Sequence, residues 1–222
     1  MSQSPEDVVA LVVDGDERVG EGGFLAIRRL RLRNRRADGS LSAPYVSDAV
    51  VRPYGQDAIV VVIYACDPIR VLVRDGLRPT IAMVRDPERA PLPEPPPALT
   101  VTELVAGIIE EGERGDLALR QRAAAEVLEE AGFAVDASSV VLLGAGAFAS
   151  PGCLAEKNYF AAVAVDPNAQ QPLAGDGSPM EEGARTRWLP LADAIRACTR
   201  GEICDLKTEL GLRRLAEFLR VS

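Results

Sequence analysis

Three glutamates, Glu126, Glu129 and Glu130, stand at positions i, i+3 and i+4 in the stretch GIIEEGERGDLALRQRAAAEVLEEAGF (107–133). On a helix these positions share one face. Like charges so placed repel, which leaves two readings. One is a solvated acidic face made from a good helix former. The other is a site for a hard divalent cation, since Mg2+ takes carboxylate oxygens and leaves room for substrate phosphates. The chain contains no histidine, so a general base has to come from a carboxylate or from water activated by a metal.

The elements that would position these groups follow from periodicity. The Ala-, Leu- and Glu-rich run 117–131 predicts a helix, and Gly132 suits its C-terminal stop. VTELVAG (101–107) reads as one short strand ending at Gly107. AIVVVIYA (58–65) is a buried strand with IRVLVRD (69–75) as its neighbour across the turn CDP. Further strands are expected at 140–148, 158–166 and 185–191, and helices at 191–201 and 207–220. Nearer the N-terminus, FLAIRRLRLRN (24–34) alternates apolar and basic residues, so its arginines line one face of a strand. ADGS (37–40) marks a turn, and APYVSDAVVRP (43–53) completes a hairpin. The proline-rich segment 85–98 and the segment 166–179 read as loops. No internal repeat is visible. The order predicts an α+β fold with a layered mixed sheet.

Composition narrows the chemistry. The 222 residues carry a formal net charge of −8, so the overall field attracts neither nucleic acid nor an anionic membrane. A polyanionic substrate would need a local reversal of sign, and a bound divalent cation supplies one. Cys66, Cys153, Cys198 and Cys204 form no CxxC pair and have no histidine to complete a zinc site. They read as reduced, mostly buried thiols. The segment MSQSPEDVVALVVDGDE has no basic n-region, and no apolar run reaches spanning length. A soluble, cytoplasmic protein is expected.

The stretch 107–133 resembles the Nudix box, G-x5-E-x7-R-E-U-x-E-E-x-G-U with U aliphatic. Gly107 and Glu113 match its start, Glu126, Val127, Glu129, Glu130 and Gly132 its end, and Phe133 stands at the final apolar position. Two departures stand out: the spacing from Glu113 to Glu126 is four residues longer than the pattern, and Ala125 replaces the arginine before Glu126. Four residues are close to one helical turn, and Arg122 lies one turn before Glu126 on the same side. Arg122 therefore either takes over the missing arginine's task through charge-assisted bonds or forms an ordinary i,i+4 surface pair.

The similarity runs over about residues 45–220. SPGCLAEK (150–157) is similar to the S-P-G-x-x-x-E segment of ADP-ribose pyrophosphatases, LVRDGLRP (72–79) to their L-V-R-Q-[FY]-R-P, and WLPLADA and GEICDLKT to their C-terminal segments. The resemblance implies a Nudix-type α/β/α sandwich with a mixed sheet over 56–222. It also implies a small N-terminal antiparallel β extension over 1–55 through which two copies pair as a homodimer. Further, it implies Mg2+ or Mn2+ held by Glu126, Glu129, Glu130, Glu156 and the carbonyl of Ala106. Catalytic roles fall to Glu130, Glu156 and Arg122, a substrate contact to Arg78, and structural roles to Gly107, Glu113 and Gly132. The implied reaction is hydrolysis of the pyrophosphate of a nucleoside diphosphate linked to another moiety. ADP-ribose, cleaved to AMP and ribose 5-phosphate, comes first and a nucleotide sugar second. A Nudix-like nucleotide sensor without turnover is the alternative, and a structural protein with an incidental acidic helix a third reading.

Overall fold

The computed structural model describes residues 8–19, 25–52, 55–173 and 184–221. The expected loop over 166–179 holds one 3-10 turn, Pro167–Ala169, and is otherwise irregular up to position 173; its remainder lies outside the described residues. By its internal contacts the chain forms two units. One comprises the described residues up to Gln56 together with Phe148–Glu156; the other comprises Asp57–Ala147 and the residues from Lys157 onward.

The first unit is built on a three-stranded antiparallel sheet, β1 (Val8–Val19), β2 (Ala26–Arg36) and β3 (Tyr45–Val51), with β2 in the middle. Strand β1 was not foreseen. The alternation in β2 does place arginines on one face, and cross-strand acids meet them. Arg29 forks onto Asp48 at 2.9 and 2.7 Å, and Arg33 onto Asp14 at 2.5 and 2.6 Å. Such pairs are the sheet's usual way of balancing a charged face.

The second unit is a mixed sheet. Its strands are β4 (Ala58–Cys66), β5 (Ile69–Leu77), β6 (Thr100–Glu103), β7 (Val105–Ile108), β8 (Val141–Leu142), β10 (Lys157–Ala164) and β11 (Arg185–Pro190); of the two-residue β9 (Ala147–Phe148), Ala147 belongs to this unit and Phe148 to the first. The main order is β11-β5-β4-β10-β8, with β6 paired to β5 and β7 to β4. Strands β4 and β10 run parallel, Asn158 opposite Ala58. A strand buried on both faces reads as a continuous apolar run, and Ile59 through Ile63 are all fully buried. Because side chains alternate, Ile59, Val61 and Ile63 enter one core while Val60 and Val62 enter another. Helix α2 (Gly115–Ala131) covers the first core with Ala123, Val127 and Ala131. Helices α3 (Leu191–Thr199) and α4 (Leu206–Val221) cover the second with Ala194, Ala197, Leu212 and Leu215. Helices on both faces of one mixed sheet make the α/β/α sandwich. A short helix α1 (Pro79–Val84) follows β5.

Three expectations change. The single strand over 101–107 is two strands with different partners, broken at Leu104, whose N–H donates to Thr208 Oγ1 at 2.8 Å instead of to a neighbouring strand. The strand over 140–148 shrinks to its ends, since Gly144 turns the chain at φ 77°. The thiols are not mostly buried: Cys66, Cys153 and Cys204 are exposed at strand ends and loops, and only Cys198 is buried. Among the described residues no helix is long and apolar enough to cross a membrane.

Candidate functional site

Strand β7 runs antiparallel to β4, with Val60 opposite Ala106 and Ile59 opposite Gly107. Helix α2 packs against this strand. Glu126 is buried to 8% exposure, and its carboxylate occupies the space a side chain on Gly107 would fill. A Cβ built there would lie 1.8 Å from Oε1 and 1.9 Å from Cδ. Glycine at 107 thus serves close approach. One turn later, Glu130 Oε2 accepts from the Ala106 N–H at 3.2 Å, and Oε1 accepts from Arg74 Nη1 at 2.7 Å. A strand residue directs its N–H and C=O to the same edge, so the Ala106 carbonyl lies on the edge that Glu130 meets. Two carboxylates of α2 therefore reach adjacent residues of β7. Glu129 is exposed; the helix turns two of its three glutamates inward and one outward.

Arg122 is the hub of the turn before the helix. Its Nε and Nη2 donate to the two Glu113 oxygens at 3.1 and 2.8 Å. Nη2 also lies 2.8 Å from Glu110, and Nη1 lies 3.7 Å from Glu126 Oε1. Glu113 Oε2 in turn accepts from the Glu110 N–H at 2.8 Å. Glu113 thus clasps the turn between β7 and α2, with Gly112 at φ 98° giving the reversal that a side chain would resist. The hydrogen bond from Arg122 is the main cause holding the Glu113 carboxyl below its ordinary range, against a smaller opposing effect of burial. The same bond chiefly raises the Arg122 guanidinium, again opposed by burial. Arg120 faces elsewhere and donates to the Val140 carbonyl. At the helix end, Gly132 adopts the left-handed conformation, and its N–H closes on Leu128 O at 3.0 Å. Phe133 follows, buried edge-on against Trp188 with ring centroids 6.2 Å apart.

Arg78 is committed to Glu103, at 2.5 Å through Nη2 and 3.2 Å through Nε, with 42% of its side chain still exposed. The GEICDLKT segment serves packing: Asp205 Oδ2 accepts from the Thr208 N–H and hydroxyl at 3.0 and 2.7 Å, while Thr208 holds Leu104. Sequence reasoning missed Arg74 as a partner of Glu130. Its signal was a cation inside the buried run of β5, where a charge needs a partner.

Glu156 belongs to the first unit. It is buried to 8% exposure and paired with Arg52, which the sequence reading also passed over.

The second unit's donors suit a hard cation. Glu126, Glu130 and the Ala106 carbonyl are all oxygens, and Mg2+ is commonly bound by one or two carboxylates plus substrate phosphates and water. Among the described residues no cluster of three or more His, Cys, Asp or Glu side chains is arranged for a metal.

No family model and no curated protein matches the chain. A solved structure described as "Crystal structure of ADP compounds hydrolase" shares its fold with a TM-score of 0.70 at 14% identity, over 97% of this chain and 97% of that one. The likeness is one of fold: α+β, with a Nudix-type mixed sheet and a small N-terminal antiparallel sheet of three strands.

Proposed function

We propose that the protein is a Nudix pyrophosphatase that uses Mg2+ or Mn2+ to hydrolyse a nucleoside diphosphate linked to another moiety. ADP-ribose, giving AMP and ribose 5-phosphate, is the first substrate to test and a nucleotide sugar the second. The observation that carries this reading is the seating of Glu126 and Glu130 on adjacent residues of β7. Glu126, Glu130 and the Ala106 carbonyl would hold the cation, whereas Glu129, which the resemblance also assigns to it, faces outward. When bound, the cation neutralises the pyrophosphate and activates water. Arg122 and Glu113 keep the turn before α2 in place, so that Glu126 stays in the Gly107 cradle. Glu156 takes the role the resemblance gives it, assisting the attacking water or joining the metal set, in a chain with no histidine. Arg78, partly exposed at the end of β5, is proposed to meet the substrate. The N-terminal sheet is proposed to pair two copies into a homodimer, which light scattering in solution tests.

The test is a panel of ADP-ribose and UDP- and GDP-linked hexoses, assayed with Mg2+ and then with EDTA. Release of nucleoside monophosphate that EDTA abolishes supports the reading; no release from any member rejects it. One observation favours a sensor without turnover: Glu130 already has a guanidinium partner in Arg74. Binding of a panel member without release would establish that reading instead.

A further inference from the structure

We propose that Arg52 is the positioning residue for Glu156, so that the N-terminal unit sets the placement of this carboxylate. The inference rests on the hydrolase reading. The segment Phe148–Glu156 groups with the N-terminal sheet instead of with the residues that flank it in sequence. Its backbone is tied along the end of β3. The Val50 N–H donates to the Cys153 carbonyl at 2.7 Å, Val50 and Leu154 form a parallel bridge, and Gln56 Nε2 donates to the Ala155 carbonyl at 3.3 Å. Those contacts place the loop; the Arg52–Glu156 ion pair orients the carboxylate at its end. Only 13% of the Arg52 side chain and 10% of the Glu156 side chain are exposed.

A carboxylate this buried is costly without a cation, so losing Arg52 would turn Glu156 toward water. Arginine also fixes the plane of a carboxylate through its rigid fork, where lysine supplies only a point charge. A cavity of about 230 Å³ adjoins the pair, walled by Arg28, Arg52, Gln56 and Glu156. The held carboxylate therefore borders open space large enough for a small polar group. Loop residues with chemical roles need such an anchor, because loops are otherwise the mobile part of a fold.

The experiment compares Arg52→Ala, Arg52→Lys, Glu156→Gln and the Arg52→Ala/Glu156→Gln double variant on whichever panel substrate the wild type cleaves. Hydrogen exchange of 150–156 is followed in parallel. Arg52→Ala is expected to lower kcat by about 10- to 100-fold, as for other residues that orient a ligating or reacting group, with KM nearly unchanged. Arg52→Lys should recover part of the loss, and Arg29→Ala, on the same sheet, should show none. In the Glu156→Gln background, Arg52→Ala should add less than about twofold, and exchange of 150–156 should rise in Arg52→Ala. A kcat close to wild type, a full additional loss in the double variant, or unchanged exchange would overturn the proposal. Failure of the hydrolase reading looks different: the wild type itself releases nothing, and the catalytic role of Arg52 falls with it.

Discussion

Replacing Gly107 with alanine tests the seating of Glu126 directly. The new Cβ would lie 1.8 Å from Glu126 Oε1 and 2.5 Å from Oε2, whereas ordinary contact begins at 3.4 Å. The carboxylate must therefore withdraw by roughly 1.6 Å, the difference between 3.4 and 1.8 Å. Gly107 is not among the glycines with positive φ, so alanine suits the backbone and the disturbance falls on the glutamate. That side chain is flexible enough to give way, and the overpacking should cost about 1–3 kcal/mol. Activity should suffer more, because a misplacement of about 1 Å at a reacting centre can cost on the order of 100-fold. The assay pairs kcat/KM under a Mg2+ titration with urea unfolding, for Gly107→Ala alone and in a Glu126→Ala background. Once the carboxylate is gone, the alanine should cost almost nothing in stability. Near wild-type activity in Gly107→Ala, or the same stability loss with and without Glu126, would refute the cradle.

Arg74→Met takes the guanidinium away from the Glu130 carboxylate, whose side chain is only 13% exposed; unfolding free energy should fall by about 3 kcal/mol, and a urea midpoint close to wild type would count against the pair. Arg122→Ala should lower kcat/KM by more than about tenfold, in the range seen for orienting residues. Arg120→Ala should cost about 1 kcal/mol of stability for its lost hydrogen bond and leave activity intact, so equal small effects on activity would reject the hub. Glu113 titrates below its ordinary value of 4.5 in the folded protein, so its stabilising contribution is complete above that pH and is lost as pH falls through the lower folded value. The stability gap between wild type and Glu113→Gln should therefore close on acidification below about pH 4.5, and a gap independent of pH would contradict the bond to Arg122.

The sequence made legible whatever depends on neighbours along the chain. The continuous apolar run of β4, the Ala–Leu–Glu helix and its Gly132 cap are local signals, and each element formed near its expected place. What depends on distant partners was not legible. The break at Leu104 exists because Thr208 stands across from it, 104 residues away in sequence. The box announced three glutamates but not which would face inward. That is set by the rotation of α2 about β7, and Gly107 admits only the residue opposite it. Arg74 within β5 and Arg52 just past the end of β3 are single cations, and their partners Glu130 and Glu156 become neighbours only through the fold.

We propose that the two departures from the box pattern this stretch resembles are one change seen twice. Four added residues rotate a helix by about 400°, roughly 40° past a full turn, and lengthen it by about 6 Å. The inward face near Glu126 is nearly preserved, while the turn holding Glu113 moves away along the axis. A cation that must reach both has to stand closer to the helix start. Ala125 adjoins Glu126 but lies about 4.5 Å farther along the axis from that turn than position 122 does. Arg122 satisfies both demands and in this structure touches Glu110, Glu113 and Glu126. With Arg74 on Glu130, each of the two inward carboxylates of α2 has a guanidinium within reach.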